Sequence, residues 1–213
     1  MFTGIVEELG RIVSIRRPGR AFVLHIAAID VLKGTVVGDS IAVDGVCLTV
    51  SALHPDGFTA DVMPETARVT TLSLRRPGNT VNLERALAAG KRVGGHFISG
   101  HIDGTGRIVS RFRRENADIV RISATPALLR KMVSKGSVAV DGTSLTIMGL
   151  DRTSFSVSLI PHTRLASGLS DKPAGAPVNI ECDLFAKYGV PCPDDRTASR
   201  GPLSLSFLES CGF

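Results

Sequence analysis

The sequence predicts an all-β protein made of two similar antiparallel barrels in tandem, followed by a short C-terminal helical tail. Two observations carry this reading. The first is an internal duplication. Residues 42–50 read AVDGVCLTV and residues 139–147 read AVDGTSLTI, 97 positions later, with six of nine positions identical. The same offset pairs Phe58 with Phe155, Met63-Pro64-Glu65-Thr66 with Ile160-Pro161-His162-Thr163, and Val81-Asn82-Leu83-Glu84 with Val178-Asn179-Ile180-Glu181. At the front of each copy the offset is 96, matching Thr3-Gly4 to Ser99-Gly100 and residues 10–14 to residues 106–110. A period this long is a domain with its own core, not a solenoid unit. The second observation is rhythm: short β-rich runs recur at regular spacing, separated by Gly and Pro turns.

The elements follow in order. Residues 2–15 are rich in β-branched side chains and predict a strand, with Gly10 a bulge or bend. Pro18-Gly19 marks a turn, and residues 21–27 a second strand. Residues 32–37 read as a loop or a short helix end. Residues 39–43 and 46–53 alternate apolar with small or polar side chains around Asp44-Gly45, a strong hairpin signal. Residues 58–63 predict the next strand. Pro64 suits the first turn of a short helix, and Glu65 suits its positive end. Residues 81–83 close the copy. Residues 90–95 read as the linker.

The second copy repeats this order. Thr125-Pro126 predicts a capped helix through Met132, ended by Ser134-Lys135-Gly136. Beyond Asp183, residues 184–188 start a helix that Gly189, Pro191 and Pro193 should stop. Residues 194–202 are polar and predicted mobile, and residues 203–208 could form one or two helical turns. The expected domains are therefore 1–96, 97–193 and a tail, 194–213.

Composition excludes several classes. The chain has 213 residues, a formal net charge of +5 and no Trp. Its basic residues are scattered, and the densest patch, around Arg107, Arg111, Arg113 and Arg114, lacks interleaved aromatics. This argues against nucleic acid. No signal peptide or bilayer-length apolar run is visible, so a cytoplasmic protein is expected. Cys47, Cys182, Cys192 and Cys211 match no zinc spacing and read as free thiols. No Walker or dinucleotide glycine loop is present.

Duplication suits two similar ligands. Each copy sets a small polar side chain before a Leu-Thr pair: Cys47-Leu48-Thr49 and Ser144-Leu145-Thr146. A flat heterocycle with amide-like edges could pair with such a strand as an added strand would. The copies differ where chemistry would sit, since Cys47 aligns with Ser144 and Ile5 with His101. His96 and His101 lie five apart, which on one strand means opposite faces, and no third ligand is obvious. A metal site is not expected, and a hydrogen-bonding or acid–base role for one histidine is.

The opening MFTGIVEELGRI, the segments VDGVCLTV and MPETARVTTL, the run GGHFISGHIDGTG and the echoes VDGTSLTI and LIPHTR together resemble riboflavin synthase of the alpha-subunit type. The resemblance extends from residue 1 to about residue 183. It implies two six-stranded antiparallel Greek-key barrels and a C-terminal helix that helps form a homotrimer. It implies dismutation of two 6,7-dimethyl-8-ribityllumazine molecules, one giving up a four-carbon unit and the other becoming riboflavin. No metal or redox cofactor is implied. Each active site would lie between the N-terminal barrel of one subunit and the C-terminal barrel of the next. Lumazine synthase is a natural neighbour.

By the same resemblance the first pocket would use Gly4, Ile5 and Val6, then Cys47, Leu48 and Thr49, then Asp61, Val62, Met63, Pro64, Glu65 and Thr66. The second would use Gly100, His101 and Ile102, with Lys135, Ser144, Leu145 and Thr146, and then Ser158, Leu159, Ile160, Pro161, His162 and Thr163. Phe2 would close over the bound rings. Cys47, His101, Ser144 and Thr146 are the candidates for proton handling and orientation. The interrupted tail departs from the family and bears on the trimer contact. The rival reading is a non-catalytic lumazine- or flavin-binding protein on the same barrels. An oxidoreductase flavin domain lacks a nicotinamide partner domain, and a nucleic-acid barrel would need stacking aromatics.

Overall fold

Strand pairing repeats with the duplication. In this computed structural model, which describes residues 1–17 and 21–189, the first copy forms β1 (Glu8–Arg16), β2 (Phe22–Ala27), β3 (Ser40–Val43), β4 (Val46–His54), β5 (Gly57–Val62) and β6 (Thr80–Arg85). A short helix α1 (Pro64–Val69) and a 3₁₀ turn (Thr71–Leu74) sit between β5 and β6. The second copy forms β7 (Gly104–Arg114), β8 (Ala117–Ser123), helix α2 (Pro126–Leu129), β9 (Ser137–Val140), β10 (Thr143–Leu150) and β11 (Ser154–Leu159). Helix α3 (Pro161–Ala166), β12 (Pro177–Cys182) and helix α4 (Leu184–Gly189) complete it.

Each copy closes into an antiparallel barrel, ordered β1-β2-β5-β4-β3-β6 and β7-β8-β11-β10-β9-β12. Closure leaves no free sheet edge. Alternation then decides the faces. Leu24, Ile26, Leu48, Val50, Phe58 and Leu83 fill the first core, and Ile122, Leu145, Ile147, Phe155 and Ile180 fill the second. Bulges fall at equivalent places, between Ile12 and Ser14 and between Ile108 and Ser110.

The two hairpin turns have the left-handed pair that a tight two-residue turn needs: Asp44 at φ 47° with Gly45 at φ 81°, and Asp141 at φ 46° with Gly142 at φ 76°. They meet back to back between the barrels. The Asn82 amide donates to Asp141 O at 2.8 Å, and the Asn179 amide donates to Asp44 O at 2.9 Å. Each carboxylate also caps its own barrel. Asp44 accepts from Asn82 N and pairs with Arg75, while Asp141 accepts from Asn179 N and pairs with Lys172.

Several expectations are corrected. The first strand starts at Glu8, not Phe2, because Gly4 turns the chain at φ 78°. Phe2 instead bridges Ile98 in the other copy, donating N–H to Ile98 O at 2.7 Å. Gly10 stays in register opposite Val81, and the bulge lies after Ile12; a Cβ at Gly10 would run into Leu83. Helix α2 stops at Leu129, three residues short of Met132, which turns into the core. Helix α4 takes in Gly189 as its last residue. The Pro18-Gly19 turn and residues 194–208 lie outside the described residues. Among those described, no helix is long and apolar enough to cross a membrane.

Candidate functional site

The second strand of each hairpin, β4 and β10, positions the recurring trio. Pleating sends Leu48 and Leu145 into the barrel cores and leaves Cys47, Thr49, Ser144 and Thr146 on the outer faces. Leu48, Leu145, Val62 and Leu159 are therefore core side chains, and only their backbone is available to a ligand. The β4–β5 ladder begins at Val50–Ala60 and the β10–β11 ladder at Ile147–Val157. Thr49 with Asp61, and Thr146 with Ser158, lie just past those ends. There the ladder parts locally, beside a hydroxyl and a carboxylate in the first barrel and two hydroxyls in the second.

The glycine turns cross over. Gly4 O accepts from Ser144 N at 2.8 Å, and Gly100 O accepts from Cys47 N at 2.9 Å. The Gly4-Ile5-Val6 turn thus belongs with the second barrel, and the Gly100-His101-Ile102 turn with the first, where Ile102 packs on the core. This reverses the expected pocket assignment. Sequence order joins each turn to its own copy, whereas the chain enters each barrel over the other. Contact is tight on both sides: a Cβ on Gly4 would lie 2.6 Å from Ser144 Cβ, and one on Gly100 2.5 Å from Cys47 Cβ.

The result is two unequal half-sites. The first carries Cys47, Thr49, the exposed His101, and Asp61, Met63, Pro64, Glu65 and Thr66 around the start of α1. The second carries Ser144, Thr146, Ile5, Lys135, and Ser158, Ile160, Pro161, His162 and Thr163 around the start of α3. Met63 and Ile160 are exposed apolar side chains at matching positions before the two helices. Glu65 is tied to Arg68 at 2.5 Å, which holds its carboxyl below the usual range, and is to that extent less free to serve a ligand.

Lys135 sits at φ 66°, in the left-handed region, at the position where the first copy has Gly38. Their backbones do the same work: Lys135 N donates to Ile147 O and Gly38 N to Val50 O. A lysine there carries backbone strain that glycine avoids.

Of the two histidines the sequence offered for a hydrogen-bonding or acid–base role, His96 has a side-chain partner in the second barrel. His96 Nδ1 lies 2.7 Å from Ser144 Oγ, and His96 Nε2 is buried with no hydrogen-bond partner among the described residues. Burial holds the imidazole below its ordinary pKa, with the Asp183 charge opposing in part. A neutral imidazole on a serine hydroxyl is a proton acceptor or relay. His96 lies beside β10, and the turn that carries His101 lies beside β4.

Phe2 is not placed as a lid. It is fully buried in the seam between barrels, with Ala42, Ile98 and Ala139, and Cys47 packs against the same cluster. In this position it supports both turns from below. A cavity of about 610 Å³ opens beside Thr3 and Ile5, rimmed by Lys33, Arg85, Lys91 and Arg92, and its lining includes neither Cys47 nor Ser144. Thr49 and Thr146 are exposed, and Cys47 and Ser144 are half-buried.

A family model described as lumazine binding domain matches residues 3–86 and again residues 99–183. The riboflavin synthase of Actinobacillus pleuropneumoniae is 46% identical over 217 residues, covering 100% of both chains. That of Bacillus subtilis is 48% identical over 188 residues, 88% of this chain and 87% of its own. Among solved structures, LumP complexed with riboflavin aligns with a TM-score of 0.80 at 24% identity, over 85% of this chain and 99% of that one. At that identity the likeness is one of fold.

Proposed function

The chain belongs to the lumazine-binding family of riboflavin synthases, and from that premise we infer that it converts two molecules of 6,7-dimethyl-8-ribityllumazine into riboflavin and 5-amino-6-ribitylaminouracil. Each half-site takes one lumazine. The observation that carries this reading is the pair of related but unequal strands, β4 with Cys47 and Thr49, and β10 with Ser144 and Thr146. A four-carbon unit must leave one ring and join an identical one, so donor and acceptor need similar pockets with different side chains. Most of the work is orientation, which can supply a large share of the rate.

Strand backbone past the ladder ends can pair with the amide-like edge of each ring. Lys135 places a positive charge beside the second ring. The reaction begins with loss of a proton from a lumazine 7-methyl group. The Ser144–His96 pair is the acceptor the geometry favours in the second half-site, because burial keeps His96 neutral. His101 and Cys47 are the polar groups of the first.

Because Thr49 and Thr146 are exposed, two chains facing each other would exclude water from a sandwiched pair of rings. This supports sites between subunits, in what we take to be a homotrimer. So does the apolar patch of Phe97, Phe185 and Tyr188 near α4, with Phe97 and Phe185 edge to face at 6.4 Å. We propose that the enzyme works in the cytoplasm. The test is to incubate purified protein with the lumazine alone and follow products by chromatography. One riboflavin and one pyrimidinedione per two lumazines is the expected result. Binding without conversion would make this chain a carrier, and sedimentation as a monomer at working concentration would remove the trimer.

A further inference from the structure

Two buried carboxylates outside the ligand faces are built into the same place in both copies. Glu84 on β6 accepts from Thr3 N at 2.6 Å, Thr3 Oγ1 at 2.7 Å and Gly4 N at 2.9 Å. Glu181 on β12 accepts from Ser99 N at 2.7 Å, Ser99 Oγ at 2.6 Å and Gly100 N at 3.0 Å. Both side chains are almost completely buried. A carboxylate there loses its hydration, and for Glu84 burial pushes the carboxyl up despite its three donors. An apolar residue would serve a barrel core at lower cost. What the carboxylate adds is geometry, since two oxygens in one plane fix three donors in successive residues.

Those residues are the glycine turns that cross between copies. Past Thr3 and Gly4 the chain of bonds runs on to the second half-site: Gly4 O holds Ser144 N, and Thr3 O accepts from His96 N at 3.1 Å. Past Ser99 and Gly100 it runs to the first, where Gly100 O holds Cys47 N. We propose that Glu84 and Glu181 are positioning residues of crossed specificity. Glu84, in the first barrel, sets the Ser144–His96 geometry on the second. Glu181, in the second barrel, sets the Cys47–His101 geometry on the first. The inference deepens the riboflavin synthase reading and rests on it only for its effect on turnover.

The two clamps also differ. Glu181 has a cation 3.8 Å away, Lys187 of α4, and Lys187 also pairs with Asp103 at 2.7 Å, two residues beyond His101. Among the described residues, no ion pair ties Glu84 to a helix in this way. The clamp on the first half-site is therefore tied to the C-terminal helix.

The variants are Glu84→Gln and Glu181→Gln, which keep shape and replace one acceptor oxygen with a donor facing a backbone N–H. Thr3→Val and Ser99→Ala, which each remove the hydroxyl's bond to the carboxylate and the longer bond it accepts from the N–H two residues on (Ile5 at 3.4 Å, His101 at 3.2 Å), serve as milder forms. Two readouts need no substrate: the alkylation rate of Cys47 by mapped mass spectrometry, and the His96 ring resonances by NMR. Glu181→Gln is expected to raise Cys47 alkylation several-fold and leave His96 unmoved. Glu84→Gln is expected to shift the His96 ring and leave Cys47 unmoved. In both, kcat per folded molecule should fall roughly ten- to a hundredfold, as a misplacement of about 1 Å can cost that much. The milder variants should move the same readouts in the same crossed sense. Both readouts moving together in either variant, as general loosening would produce, overturns the proposal. So does neither readout moving. A wild-type protein that fails to convert lumazine overturns the functional reading and leaves the crossed-clamp test standing on its two substrate-free readouts.

Discussion

Gly45 and Gly142 press together at the tips of two hairpins 97 residues apart, so closely that a Cβ on Gly45 would lie 2.6 Å from Gly142 N. Both are left-handed, at φ 81° and 76°. Gly45→Ala therefore meets a strained backbone and a backbone clash at once. It should cost on the order of 2–4 kcal/mol, since left-handed strain alone is about 1–2. Urea denaturation checks this; an unchanged midpoint would mean the barrels separate without penalty.

Ser144→Ala and His101→Ala should each lower turnover far more than stability. Both side chains are on outer faces, so deletion leaves no core cavity. Loss of a proton-handling group typically costs about 10²–10⁴-fold in rate. Lumazine turnover beside a thermal melt separates the two effects. Either variant at full turnover would remove that residue from the chemistry.

Lys135→Gly should stabilise the fold and impair the enzyme. Glycine relieves the left-handed strain at φ 66°, offset by a more flexible unfolded chain, for a net gain of about 0.5–1 kcal/mol. Lumazine turnover should fall, because the charge beside the second ring is gone. A gain in stability with unchanged kinetics would show that the lysine has no task there.

The pH dependence follows from His96. Its folded pKa lies below the ordinary value of 6.5 because burial disfavours the cation. The unfolded chain thus binds the proton more readily. The stability this neutral group contributes is complete above about pH 6.5 and is lost as pH falls through that value toward the folded pKa. Urea midpoints at pH 7.5 and 5.5 should differ less in His96→Asn than in the parent. An equal difference would rule His96 out as the source.

Cys182 should resist alkylation in the native protein. Burial, together with the neighbouring Asp103, pushes its thiol up to about 12. Thiolate is the reactive form, so little is available near neutrality. Peptide-mapped labelling should find Cys47 modified well before Cys182, and denaturation should erase the difference. Native labelling of Cys182 at the rate of Cys47 would contradict the burial.

The barrels were legible because repeated pattern and strand periodicity are local signals. Asp44-Gly45 and Asp141-Gly142 announced their turns, and alternation around Cys47 and Ser144 told which side chains face out. The crossing was not legible. Nothing near Gly4 says that its carbonyl serves Ser144, 140 positions on, because partner choice across copies is set by how the barrels pack. The partner of His96 was hidden for the same reason, since its serine is 48 residues away. Phe2 reads in sequence as the start of the first strand and as a cover for the rings, and becomes part of the seam only once Ile98 pairs with it.

The crossed turns amount to an exchange of arms within one molecule. Each copy lends its opening residues to the other and receives the same loan back. A chain holding the first copy alone would keep Cys47 without Gly100, and Gly4 without Ser144. Two such chains could complete each other if the Gly4 turn of each took on the partner's β4 the place that Gly100 takes here. The duplication thus has the logic of a two-fold dimer fused end to end. Fusion freed one turn to become Ile5 and the other His101, so the two halves of the site could take different roles.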